Sequence, residues 1–313
     1  MALAALGALA YFGVAMGTDA PKLESALGLL GWTGCIAVLA LSVANYLLRF
    51  LRWQYYIRRL GHRLPFARHL LVYLSGFALT VSPGKGGEAV RSIYMREHGV
   101  SYAESIAALF VERLLDFLAM VLLSALIVAG ARGYAPFVLA ALVCVLGVLV
   151  LLGRDAVPNW MSARSLSHGG GVGRVARALA ALARLLRSSH SLLQPGPVFI
   201  GLVLALAAWG AEGLGFYLLL QGLQLTPDAA SATGIYAVSA LVGAAAFFMP
   251  GGIGGMEVVM TSLLVAGGAA LATAVIATLL CRLATLWFAV IIGIIATFIV
   301  EAWPASPPDA ISA

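Results

Sequence analysis

Long apolar runs, interrupted by short clusters of arginine, glycine and proline, fill almost the whole chain. Runs at about 2–17, 28–50, 101–129, 134–152, 196–222 and 269–300 are long enough, or nearly so, to cross a hydrocarbon layer about 30 Å thick as helices. Two further segments, 67–98 and 231–266, are apolar up to a Pro-Gly break and then resume as a short second piece. The pattern predicts an all-α polytopic membrane protein with about six transmembrane helices and two re-entrant broken-helix hairpins, or eight spans if each hairpin crosses fully. Residues 1–300 then form one transmembrane domain whose halves, about 67–130 and 231–300, are related as an inverted repeat. The tail, 301–313, with Pro304, Pro307 and Pro308, is expected to be disordered.

The breaks read Pro83-Gly84-Lys85-Gly86-Gly87-Glu88 and Pro250-Gly251-Gly252-Ile253-Gly254-Gly255-Met256-Glu257. Each glutamate is followed 25 residues later by an arginine, Arg113 and Arg282. Irregular backbone is tolerated at membrane depth only where protein or a water-filled cavity satisfies it. Pro83, Gly84, Gly86 and Gly87, and Pro250, Gly251, Gly252 and Gly254, would supply the turns. The helix after each break aims free N–H groups at whatever occupies the turn, which suits an anionic group such as a lipid phosphate. A single break would be explained by close helix packing; two matched breaks favour a site.

Arg113 and Arg282 fall about 20 Å into their spans, near the midplane. The embedded charges are Lys85, Arg91, Arg113 and Arg282 against Glu88, Glu112, Asp116, Glu212 and Glu257. This near balance fits ion pairs that hold the helices in register. It also fits arginines that exchange a carboxylate for a phosphate, since a guanidinium fork suits either. Glu112 and Asp116 share a helix face by their spacing, which leaves room for a proton-coupled role. Glu212, three residues after Trp209, is a candidate second-ring residue, and Asn45, Gln221 and Ser239 are expected to bond between helices.

The net charge of +6 is concentrated in two places. Arg49, Arg52, Arg58, Arg59, Arg63 and Arg68 fill the loop after the second span; Arg154, Arg164, Arg174, Arg177, Arg184 and Arg187 fill the loop 153–195. The positive-inside rule puts both loops in the cytoplasm, the links 18–27, 130–133 and 223–230 outside, and both termini inside. Arg174, Arg177, Arg184 and Arg187 share one face of a helix-like stretch that either lies on anionic inner-leaflet lipid or is solvated. Charge so placed points to membrane-surface contacts and not to nucleic acid.

Cys35, Cys144 and Cys281 sit singly in apolar runs and are expected to be reduced, buried thiols. The five histidines form no ligand pattern, and Gly84-Lys85-Gly86-Gly87 lacks the ending of a P-loop. No cofactor, metal or catalytic residue is expected, and the oligomeric state is left open.

Ser82 to Arg91, Val111-Glu112-Arg113-Leu114-Leu115-Asp116, Pro250 to Glu257, and Arg282 ahead of Trp287 and Gly293 resemble the four signatures of the lysylphosphatidylglycerol synthase transmembrane (flippase-like) family, over about residues 28–300. The resemblance implies an integral membrane protein that moves lipids between leaflets or supports such movement, and the expected location is the bacterial cytoplasmic (inner) membrane. No stretch outside the spans is longer than the 153–195 loop, so synthesis of an aminoacylated lipid by this chain is not expected. The leading expectation is a flippase or transporter for an anionic or phosphate-bearing lipid of phospholipid, aminoacyl-phospholipid or polyprenyl-phosphate type. In that role Lys85, Arg91, Arg113 and Arg282 would meet phosphate, and Glu88 and Glu257 would hold those cations or bind an amine. The alternatives are a membrane-embedded head-group transferase, which needs a nucleophile the sequence does not display, and a non-transporting scaffold for envelope lipid enzymes.

Overall fold

The computed structural model describes residues 2–81, 87–128, 135–152, 188–245 and 254–303. Among them are ten α-helices and no strand. They are α1 (Ala2–Arg59), α2 (Phe66–Ser75) continued by a 3-10 turn (Gly76–Leu79), α3 (Gly87–Arg96), α4 (Tyr102–Val128) and α5 (Ala135–Leu152). Then come α6 (Pro195–Gly222), α7 (Ala229–Ala245), α8 (Gly255–Ala266), α9 (Leu271–Arg282), a π turn (Leu283–Trp287) and α10 (Phe288–Ala302). Phe199, Leu139 and Phe298 stand 69%, 61% and 60% exposed on the outer surface. Such a surface belongs against lipid, and the chain is an all-α integral membrane protein.

The first two expected spans are not separate. One helix runs from Ala2 to Arg59 through the 18–27 link, Pro21 included, since polarity alone does not end a helix. Regular geometry is interrupted later, at Gly31, whose φ is +66°. At its other end α1 continues past the expected limit at residue 50, which carries Arg49 and Arg52 into the bundle instead of into a loop.

Helices α1 and α6 are antiparallel neighbours. Leu30 lies against Gly222, Leu41 against Gly215 and Tyr56 against Gly201, and Asn45 Nδ2 donates to the Ala208 carbonyl at 2.8 Å. Asn45 therefore bonds between helices as expected. Gln221 and Ser239 do not: Gln221 reaches the nearby Leu225 carbonyl and Ser239 bonds back to Ile235 in its own helix, since an acceptor one turn away is closer than any on a neighbouring helix.

One end of the bundle gathers the C-terminus of α1, both outer ends of the α2–α3 segment, the start of α4 and the end of α10. His62 meets Glu104 at 3.2 Å and Arg68 meets Glu97 at 4.0 Å, while Arg68 Nη1 donates to the carbonyls of Val300 and Trp303. The first broken segment thus enters and leaves by one end. Gly234, near the start of α7, packs on Ile127 at the far end of α4, and α9 starts at the end opposite to that of α10. The second broken segment therefore enters and leaves by the other end. At 10 and 12 residues, α3 and α8 rise about 15 and 18 Å, too little to cross a bilayer.

Each hairpin is braced by the long helix of the other half. Helix α2 and its 3-10 turn pack on α10, and α7 packs on α4, while α3 stays on α4 and α8 on α9. At Gly293 the α10 backbone comes so close that a Cβ would fall onto the backbone of Phe77 and Ala78. Helix α4 is started by a capping box: Glu104 accepts the Ser101 N–H at 2.9 Å and its hydroxyl at 2.6 Å, while the Glu104 N–H donates to Ser101 Oγ. The stretch 153–187 with its arginine face, the break residues Pro83, Gly84, Lys85, Gly86, Pro250, Gly251 and Gly252, and the tail 304–313 lie outside the described residues. Cys281 is buried, but Cys35 is only half-buried and Cys144 is exposed, so the expectation of three buried thiols holds for one.

In detergent, Gly293→Val is expected to lower the thermal midpoint by the equivalent of about 1–3 kcal/mol through overpacking, and Ser101→Ala by about 1 kcal/mol through loss of the cap. An unshifted midpoint for Gly293→Val would contradict the backbone contact between α10 and the 3-10 turn.

Candidate functional site

Helix α4 presents Glu112 and Asp116 one turn apart into the middle of the bundle, 0% and 1% exposed. Arg52 of α1, also 0% exposed, bridges them: its Nη2 lies 3.2 Å from Glu112 Oε1 and 2.7 Å from Asp116 Oδ1. Tyr73 OH donates to Glu112 Oε1 at 3.1 Å, and Trp209 Nε1 of α6 donates to Asp116 Oδ1 at 2.9 Å. Four helices, α1, α2, α4 and α6, meet here through two carboxylates.

Three more guanidinium groups surround the same acids. Arg91 Nη1 of α3 is 3.7 Å from Glu112 Oε2, Arg49 Nε of α1 is 3.9 Å from Glu112 Oε1, and Arg113 Nη2 is 3.3 Å from Asp116 Oδ2. Aromatic faces take up part of the cationic charge: Arg91 lies 4.8 Å from the Trp53 ring centre and 4.4 Å from that of Tyr73, and Arg49 lies 5.6 Å from both Phe77 and Trp209. Gly76 leaves the room for Arg91, since a Cβ there would sit 2.9 Å from its Nε. Among the described side chains the cluster holds four cations and two anions. Arg52 Nε and Nη1 are buried without a hydrogen-bond partner.

The second arginine of the sequence repeat sits in a different arrangement. Arg282 Nε meets Glu257 Oε1 at 2.7 Å, and Glu257 Oε2 accepts the N–H of Gly254, which has φ +96° and caps α8. Arg282 Nη1 also contacts Met256 Sδ at 3.3 Å. The π turn follows at once, and the Thr285 carbonyl within it accepts the Tyr46 hydroxyl at 2.8 Å. A π turn releases carbonyls from the ordinary helical ladder and makes such a bond available. Glu212 on α6 accepts a hydrogen bond from Tyr236 OH at 3.1 Å.

The expected residues thus fall into groups. Arg91, Glu112, Arg113 and Asp116 converge, Glu257 and Arg282 pair apart from them, and Glu212 bonds to Tyr236. Gly87 and Glu88 begin α3, but the Glu88 side chain, like Lys85, lies outside the description. Sequence reasoning missed Arg49, Arg52 and Tyr73, and it assigned both arginines to a cytoplasmic loop. The signal was present: no glycine or proline interrupts residues 35–60, so α1 had no reason to stop before them. Among the described residues no group of His, Cys, Asp or Glu could hold a metal ion.

A family model described as "Lysylphosphatidylglycerol synthase TM region" matches residues 1–293. No curated protein matches the chain.

Removal of Arg52 would leave two buried carboxylates short of their central partner, so Arg52→Ala is expected to cost about 3–5 kcal/mol. Pairing it with Asp116→Ala should restore part of that loss in a double-mutant cycle of thermal midpoints. Additive losses would mean that the two side chains do not interact.

Proposed function

Because the chain belongs to the lysylphosphatidylglycerol synthase TM region family, a family of membrane proteins tied to lipid metabolism or transport, we propose that it moves a phosphate-bearing lipid between leaflets. The observation that carries this reading is the convergence of four guanidinium groups, those of Arg49, Arg52, Arg91 and Arg113, on Glu112 and Asp116 inside the bundle. A guanidinium held by a carboxylate can exchange it for a phosphate monoester or diester, which it binds by two hydrogen bonds in a similar planar arrangement.

Arg91 comes from the second turn of α3, the helix that follows the first break in the sequence. Arg113, whose side chain is 24% exposed, is the cation best placed to meet a head group from outside the cluster. Two hairpins entering from opposite ends, each braced on a long helix of the other half, suit an inverted repeat in which one half rocks against the other and opens the site to each leaflet in turn.

The end that gathers Arg58, Arg59, Arg63, Arg68 and Arg96 is the cytoplasmic one by the positive-inside rule. On that orientation the end of α10 would face the cytoplasm. The Arg282–Glu257 pair, closed by a capping bond, serves mainly to hold α8 against α9.

In vesicles carrying a fluorescent phosphatidylglycerol analogue, the protein is expected to speed exchange between leaflets, and Arg113→Ala to slow it at least tenfold while remaining folded. Exchange equal to that of protein-free vesicles would exclude the reading. New labelled head groups formed in proportion to protein would point to a transferase instead.

A further inference from the structure

One buried acid has no cation within ion-pairing distance among the described residues. Glu212 is 5% exposed, and its hydrogen-bond partner is the Tyr236 hydroxyl at 3.1 Å. Glu112, Asp116 and Glu257 each lie within 4.0 Å of a guanidinium. The charged and titratable groups around Glu212 are Tyr46 and Arg49 from α1, Tyr236 from α7, and Cys281 and Arg282 from α9. Beyond them stand Glu257 of α8, held by Arg282, and Asp116 of α4, held by Arg52 and Trp209.

The two halves of the molecule show that the fold does not require an acid at this place. Helix α1 ends at Arg59 and α2 begins at Phe66 by the same interval that separates Gly222 from Ala229. After the breaks, α4 starts at Tyr102 and α9 at Leu271, equally far beyond Glu88 and Glu257. In this correspondence Tyr46 matches Trp209, Asp116 matches Thr285, and Tyr73 matches Tyr236. One pair of bonds matches too: Trp209 donates from α6 to Asp116, and Tyr46 donates from α1 to the Thr285 carbonyl. Tyr73 and Tyr236 each donate to a buried glutamate, but from different places, since Glu112 corresponds to Cys281 and Glu212 to Arg49.

Glu212 corresponds to Arg49. One half holds an arginine at this place and the other a carboxylate, on the same helix of the same hairpin unit. Helix geometry accommodates either, so the acid is present for its chemistry.

A carboxylate left charged and without a cation in an apolar bundle is strongly disfavoured, and a proton is the smallest group that removes the charge. We infer that Glu212 is a proton-binding site whose carboxyl takes a proton from water on one side of the membrane and returns it to water on the other. The group is connected to the arginine cluster. Glu212 lies one turn beyond Trp209, whose indole donates to Asp116 and carries the Arg49 guanidinium on its face. Arg49 in turn stands 3.9 Å from Glu112. A change of charge at Glu212 therefore alters the pull on a cation of the anion site, which would couple a proton gradient to lipid movement. The coupling rests on the transport reading above; proton binding does not.

Two measurements separate these claims. Infrared difference spectra of the purified protein, recorded as pH is stepped, are expected to show a protonated-carboxyl carbonyl band that titrates in wild type. The band should vanish in Glu212→Gln and shift in Tyr236→Phe, which removes its hydrogen bond and keeps the ring. A band that is the same in all three proteins overturns the proposal, and the Tyr236→Phe comparison decides the matter if Glu212→Gln fails to fold. In vesicles carrying the fluorescent phosphatidylglycerol analogue, an imposed pH gradient should change the exchange rate severalfold in wild type and leave Glu212→Gln unresponsive. Exchange that ignores the gradient in wild type overturns the coupling. A titrating Glu212 band with no lipid movement in wild type supports the proton site and sinks the transport reading.

Discussion

A guanidinium that leaves water must find counter-charge, and in this molecule Arg52 finds it in both buried acids of α4. Its Nη2 holds Glu112 and Asp116 together, and this fixes the rotation of α1 against α4. Asp116 then has its Oδ1 in reach of the α6 indole, so the three central helices are set by one pair of carboxylates. The other guanidinium groups are arranged around what remains. Arg91 lies against the rings of Trp53 and Tyr73, and Arg49 lies over Phe77 and Trp209. Aromatic faces take up part of their charge.

The broken helices are stable because each is supported from the opposite half. A hairpin that dips into a bilayer exposes a turn whose backbone groups lipid cannot satisfy. Here α2 and its 3-10 turn lie on α10 with backbone contact at Gly293, and α7 lies on α4 with similarly close contact at Gly234. The exchange of supports ties the two halves into one bundle. It also means that movement of one half carries with it a hairpin of the other.

Corresponding positions in the two halves hold different chemistry. Where the first has Arg49, Arg52, Arg91 and Glu112, the second has Glu212, Gly215, Met260 and Cys281. The arginine after the break, Arg113 or Arg282, is common to both, as are the break glutamate, Glu88 or Glu257, and the tyrosine, Tyr73 or Tyr236. The second half also has the π turn, and Tyr46 bonds to a carbonyl within it. A scaffold of this kind can keep its packing symmetric while confining an arginine cluster to one half and the Glu212–Tyr236 hydrogen bond to the other.

Hydrophobic run lengths and the two Pro-Gly breaks were enough, taken alone, to specify an all-α membrane protein with two interrupted segments, because run length and backbone breaking are local properties. The pairing of Glu257 with Arg282 was implied by spacing, since both lie on short stretches of one half. What the residues in order could not convey was the reach of α1. The link at 18–27 looked like a loop and was helix, and Arg49 and Arg52 looked like a cytoplasmic loop and were core, because a cluster of arginines after an apolar run has the same pattern in either place. Whether such a charge is solvated or buried depends on carboxylates and aromatic rings about 60 residues and more away in the chain (Glu112, Asp116, Trp209). Only packing brings those together, because a contact across so many residues is not a local property of the chain.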